Sequence, residues 1–201
     1  KRTGAKYIMS QGKLIVLSAP SGAGKTTICN NLLNLNEKWL YSISATTRPM
    51  RENEVDGKDY IFMSKEKFEH KEKFGEFIEC EWVHGNRYGT PVEPLENALD
   101  NGEIFLLDID VKGAMSLIEE FEDDLVSIFI EPPGINVQDQ LESLNDRLTN
   151  RGDYNETLIK QRLKRFELEL SFKEKFNFSF INENLKKTTD EINEVIKENL
   201  K

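Results

Sequence analysis

Residues 14–27 read LIVLSAPSGAGKTT, and how this stretch is read decides the fold. The apolar run Leu14 to Leu17 suits a strand buried on both faces of a parallel sheet. It stops at a loop of small residues, Ser18 to Gly24. Lys25 and Thr26 follow, and a helix is expected through Leu33. Strand, small-residue loop, Lys-Thr and helix together make the layout of a phosphate-binding P-loop. Gly22 and Gly24 let the backbone come close to an anion and take dihedrals that other residues resist. The loop N–H groups and the positive end of the helix then face the phosphates. Lys25 would reach the β- and γ-phosphates, and the Thr26 hydroxyl would ligate magnesium. Ala19 stands where the motif has its first glycine, and Pro20 follows. The competing reading, a Gly-rich turn with a surface lysine, does not account for the strand and helix on either side.

The 201 residues suffice for one domain with a full core. A charged fraction of 31% and a net charge of −9 suit a well-solvated protein and weigh against nucleic-acid binding, which needs a basic footprint. No stretch has the length of a transmembrane helix. KRTGAKYIMSQ has basic residues but no apolar core, so it is not expected to be a secretory signal. Cys29 and Cys80 fit neither a disulfide framework nor a metal spacing and read as small packed residues in a reducing, cytoplasmic setting. The sequence does not decide between monomer and homo-oligomer.

Strands and helices alternate around several buried strands, which predicts an α/β P-loop core with a parallel sheet flanked by helices. Strands are expected at Tyr41 to Ala45, Tyr60 to Phe62, Glu76 to Val83, Glu103 to Asp110, Leu125 to Ile130 and Phe178 to Ile181. Helices are expected at Ser64 to Lys73, from Thr90-Pro91-Val92-Glu93 as a capping box to Asp100, over Val111 to Phe121, and along the Val137, Leu141, Leu144, Leu148 stripe. A second apolar stripe carries Ile159, Leu163, Phe166 and Leu170, with Asp153 and Glu156 as its cap. A last helix opens at Thr188 to Glu191. Asp56-Gly57 reads as a hairpin signal inside an antiparallel insert from about Ala45 to Pro94. Asp108 and Asp110 close a buried strand, where open parallel sheets place their ligands.

Two arginine groups stand out in this acidic chain: Arg48 and Arg51 before the insert, then Arg147, Arg151 and Arg162 farther on. Arginine grips phosphate through parallel hydrogen bonds. With the P-loop, the simplest accommodation is two phosphate-bearing substrates.

In sequence order, SAPSGAGKTT, SISATTRPMRENEVDGKDYIF, EFIECEWVHGNRYGTP, FLLDIDVKGA, RLTNRG followed by KQRL, and FIN span the chain from about Gly12 to the C-terminal helix. In these the chain resembles the guanylate kinases, a family of P-loop nucleoside monophosphate kinases. The resemblance implies a core at 12–43, 96–133 and 166–201, a GMP-binding insert at 44–95 and a helical lid at 134–165. It implies magnesium-dependent phosphoryl transfer from ATP to GMP, and to dGMP. ATP would be held by Ala19, Pro20, Ser21, Gly22, Ala23, Gly24, Lys25, Thr26 and Thr27, with Asn182 at the adenine. Arg48, Arg51, Tyr60 and Tyr88 would hold the GMP phosphate; Ser44, Glu79 and Thr90 would read guanine. Asp108 and Asp110 would order magnesium-bound water and touch the acceptor, the division between them left open. Lys25, Arg147, Arg151 and Arg162 would offset charge on the transferred group. Arg87 takes a place that is often aromatic. A catalytically inactive binding module of the same fold is the alternative; such domains usually erode the P-loop and lid arginines, which are present here.

Overall fold

The computed structural model describes residues 12–83, 85–150 and 164–200. Arg151, Arg162, the proposed cap at Asp153 and Glu156, and Ile159 and Leu163 lie outside them. Contacts divide the chain into two units, one of Lys1–Leu14 and Trp39–Phe105, the other of Ile15–Lys38 and Leu106–Lys201.

The larger unit grows from the expected run. Strand β1 (Lys13–Ser18) buries Leu14, Ile15, Val16 and Leu17 completely. After the loop, α1 (Lys25–Leu35) buries Ile28, Cys29 and Leu32 and ends at Asn36. Strand β7 (Ile104–Asp108) is followed by α4 (Val111–Glu120), and β8 (Leu125–Glu131) is buried along its whole length. Helix α5 (Val137–Asn150) follows, the chain is helical again at 164–170 (α6), and β9 (Phe178–Ile181) leads into α7 (Leu185–Asn199). With β2 at Leu40–Tyr41, the sheet runs β2-β7-β1-β8-β9, so β1 and β7 are neighbours, and β8 and β9 pair in parallel with Ile128 opposite Phe178. The division between the units falls within β1 and β7 themselves. The last helix starts three residues before Thr188, because the Asn184 side chain accepts the Lys187 N–H at 3.0 Å and caps it there.

The smaller unit holds a second sheet of four strands, in the order Ile61–Phe62 (β4), Ala45–Thr46 (β3), Asn86–Pro91 (β6), Phe77–Val83 (β5). The expected strand at Tyr41 to Ala45 is two strands in different sheets, β2 (Leu40–Tyr41) and β3 (Ala45–Thr46). Strand β4 (Ile61–Phe62) pairs with β3 in parallel, Ala45 opposite Ile61, so Asp56-Gly57 makes no hairpin and the insert is mixed rather than antiparallel. Gly57, at φ 75°, turns the chain within a local loop instead, where its N–H meets the Tyr60 carbonyl at 2.8 Å. Strands β5 (Phe77–Val83) and β6 (Asn86–Pro91) pair antiparallel, with a register shift between Phe77 and Cys80. Helix α2 (Lys65–Lys73) is capped by Ser64 and buries Phe68, which stacks on Phe77 at 4.5 Å. The expected capping box at Thr90 does not form: Pro91 ends β6 opposite Phe77, and α3 (Glu93–Asp100) begins without a side-chain cap, with Pro94 in its first turn.

Candidate active site

In the larger unit the loop from Ala19 to Gly24 joins β1 to α1. Gly22 and Gly24 have φ 96° and 101°, in the left-handed region. A Cβ on Gly24 would also lie 2.5 Å from Asn182 Nδ2. Among the described residues the helix has no side-chain cap and no acid in its first turn, an arrangement that suits an anion. Ala19, Pro20 and Ala23 are buried, while Ser21, Thr26 and Thr27 are exposed.

Lys25 Nζ lies 2.6 Å from Asp108 Oδ1 and donates to the Ile109 carbonyl at 3.0 Å. Burial opposes its charge, but Asp108 prevails and the ammonium titrates above its ordinary value. The Thr26 hydroxyl donates to the other Asp108 oxygen at 3.2 Å. Asp108 thus joins both motif residues. Asp110 sits differently. Its Oδ1 accepts the Gly113 N–H at 2.8 Å and caps α4, and its Oδ2 is 3.4 Å from Arg165. Arg147 Nη1 reaches the Gly22 and Ala23 carbonyls at 3.4 and 3.5 Å, and Nη2 reaches the Asn182 carbonyl at 3.4 Å. Lys25, Thr26, Asp108, Arg147 and Asn182 are therefore gathered around one loop.

In the smaller unit, Arg48 forms a bidentate pair with Glu54 at 2.6 and 2.9 Å, while its Nε faces the Tyr88 hydroxyl at 3.3 Å. Its guanidinium lies over the Tyr60 ring at 5.3 Å, and Tyr60 meets Tyr88 edge-on at 5.8 Å. Arg51 is exposed, and its backbone N–H donates to Glu54 at 2.8 Å. Arg48 and Arg51 hold the Glu54 carboxyl down at about 2, the Arg48 hydrogen bonds leading. The Thr90 hydroxyl, nearly fully buried, donates to Glu79 Oε1 at 2.7 Å. Ser44 precedes β3, and its carbonyl accepts the Ile61 N–H at 2.9 Å. Arg87 pairs with Glu72 and lies 5.2 Å from both the Phe68 and Trp82 rings. These contacts place Arg48, Tyr60 and Tyr88 in one cluster and Glu79 with Thr90 in another.

Three participants were not read from the sequence. Glu54 is one of many acids in a polar loop, and its six-residue distance from Arg48 is no helical or strand signal. Arg165 and Glu169 bond at 2.8 Å across one helical turn, a spacing that was visible, but their neighbour Asp110 was not predictable from it. Glu169 is buried and titrates above the ordinary carboxylate range through that burial, with Arg165 opposing the shift.

A family model described as guanylate kinase matches residues 11–199. A guanylate kinase of Chlorobium luteolum is 43% identical over 188 residues, covering 94% of this chain and 92% of the relative. One from Clostridium tetani is 39% identical over 188 residues, covering 94% and 86%. The crystal structure of guanylate kinase from Anaplasma phagocytophilum is similar at a TM-score of 0.71 and 35% identity, over 93% of this chain and 85% of that one.

Proposed function

This chain belongs to the guanylate kinase family, and on that premise we propose that it transfers the γ-phosphoryl group of ATP to GMP, and to dGMP, giving ADP and GDP. Phosphoryl transfer asks little covalent work of a protein. It asks for in-line placement of donor and acceptor and for compensation of the charge on the moving group.

On the donor side the loop from Ala19 to Thr27 takes the ATP phosphates, with Lys25 as the cation nearest the transferred group. Arg147 supports it from the Gly22 and Ala23 carbonyls, and the role of offsetting charge on the transferred group is assigned also to Arg151 and Arg162, within the segment 134–165 read as the lid. Magnesium takes few protein oxygens and keeps several waters. The Thr26 hydroxyl and the Asp108 carboxylate, already 3.2 Å apart, are hard oxygen donors that suit it. Bound there, the ion would neutralise phosphate charge. Asp108 and Asp110 share the ordering of magnesium-bound water and the contact with the acceptor nucleotide, and the protein works in the cytoplasm.

On the acceptor side, within the insert 44–95, Arg48, Arg51, Tyr60 and Tyr88 hold the GMP phosphate. The observation that carries the guanine reading is the Thr90–Glu79 pair. The Thr90 hydroxyl donates to one Glu79 carboxylate oxygen at 2.7 Å and holds the group in position. Guanine offers adjacent N1–H and N2–H₂ donors, which one carboxylate accepts together. Adenine lacks the N1–H and would leave the carboxylate with an unmet acceptor, the kind of loss that separates substrates by about 10⁴-fold. Ser44 donates to the base from the start of β3.

ADP released from ATP and GMP, followed in a coupled assay with and without chelation of magnesium, tests this. Turnover with GMP that stops on chelation is expected, and no turnover at all would refute it.

A further inference from the structure

Asn182 follows β9 and is 4% exposed. Its side chain is turned to the phosphate loop. Nδ2 donates to the Ala23 carbonyl at 2.8 Å, and Oδ1 is buried with no partner among the described residues. Gly24 has room for this approach only because it lacks a Cβ, which would stand 2.5 Å from Nδ2. The two residues are shaped to each other.

A peptide unit is planar and trans, so its C=O and N–H point in opposite directions. Fixing the Ala23 carbonyl on Asn182 therefore aims the Gly24 N–H away from Asn182. A loop that binds phosphate must turn N–H groups, not carbonyls, toward the anion. The same Ala23 carbonyl also meets Arg147 Nη1 at 3.5 Å, so two donors draw it out of the loop's concave face. The orphaned Oδ1 sharpens the point. A buried acceptor without a partner is costly, and an apolar residue of the same shape would avoid that cost. What asparagine supplies that such a residue cannot is the Nδ2–H bond to Ala23.

We propose that Asn182 is a positioning residue for the phosphate loop, setting the Ala23–Gly24 peptide for the donor phosphates whatever base they carry. This rests on the reading of the loop as the donor site. It differs from a base contact in a measurable way, because a positioning role acts on the polyphosphate itself.

The test is binding of magnesium tripolyphosphate, ATP and GMP to Asn182→Leu and Asn182→Ala by calorimetry, with thermal unfolding alongside. Asn182→Leu keeps the volume and removes the orphaned acceptor together with the bond to the Ala23 carbonyl; the two changes oppose each other, so it is expected to melt close to the unsubstituted chain. Tripolyphosphate and ATP are expected to weaken by the same factor, about tenfold for one buried hydrogen bond, while GMP binds as before. Asn182→Ala gives the same pattern at lower stability and carries the test should the leucine variant not fold. Weakening of ATP with tripolyphosphate unaffected would overturn the proposal in favour of a base contact. Equal weakening of GMP would overturn it in favour of a general structural role, and no weakening of any ligand would also overturn it. Lys25→Ala separates the two readings: it is expected to lose tripolyphosphate binding, and unchanged binding there would remove the loop as the donor site.

Discussion

Lys25 and Asp108 form a 2.6 Å ion pair between the first residue of α1 and the last residue of β7. The contact brings the P-loop lysine to the acid-bearing end of the neighbouring strand. Burial acts against the ammonium charge, and the Asp108 carboxylate outweighs it, holding the group in place and its titration above the ordinary value. Lys25→Ala is expected to lower kcat by roughly 10²–10³, the cost of removing one preorganised group facing developing charge. Circular dichroism should show the fold kept. Full activity in a folded Lys25→Ala would contradict the donor assignment.

Thr90 offers a cleaner probe of the acceptor. Thr90→Ser keeps a hydroxyl for Glu79 and should leave kcat/KM for GMP nearly unchanged. Thr90→Val removes the hydroxyl at similar volume, and kcat/KM for GMP should fall about tenfold with KM for ATP steady. Equal kinetics for the two variants would count against Thr90 as a support for guanine recognition.

Arg48 and Arg51 are expected to act on the acceptor phosphate. Replacing either with alanine should raise KM for GMP by about 10- to 100-fold, the range for a lost charge-assisted hydrogen bond. Affinity for guanosine, which has no phosphate, should barely change. A loss confined to ATP would point to a donor-side role instead.

Glu54 makes a prediction about acid. Its carboxyl titrates at about 2 in the folded chain, because Arg48 and the Arg51 N–H bind the charged form. An unfolded glutamate titrates near about 4.3. The folded value is the lower one, so the stabilisation is complete above the unfolded value and is lost as pH falls toward 2. Unfolding of the unsubstituted chain and of Glu54→Gln, compared across pH, should show a constant gap above about pH 5 that closes between about 4.3 and 2. Added salt should narrow it, since the pair is near the surface. A gap independent of pH would contradict the Arg48–Glu54 pairing.

The parts of the molecule that were legible in the sequence are those set by local pattern. The apolar run at Leu14 to Leu17, the small-residue loop and the helix from Lys25 fell where they were expected, and Asp108 arrived beside them because β7 lies next to β1. The misreadings came where a distant partner outbid a local one. Thr90 and Glu93 have the spacing of a capping box, but the Thr90 hydroxyl goes to Glu79 and Pro91 pairs with Phe77. Asp56-Gly57 has hairpin chemistry, but β4 pairs with β3 in parallel. The Arg48–Glu54 pair left no periodic signal. Asn182 was placed near the nucleotide, yet nothing local shows that its amide turns to Ala23.

The most direct test of the account is the choice of acceptor. Steady-state transfer from ATP should be measured with GMP, dGMP, AMP, UMP and dTMP under the same conditions. GMP is expected to exceed AMP in kcat/KM by about 10⁴-fold or more, because adenine has no N1–H to offer the Glu79 carboxylate. Equal rates with GMP and AMP would contradict the reading of Glu79, and with it the assignment of this chain's acceptor site.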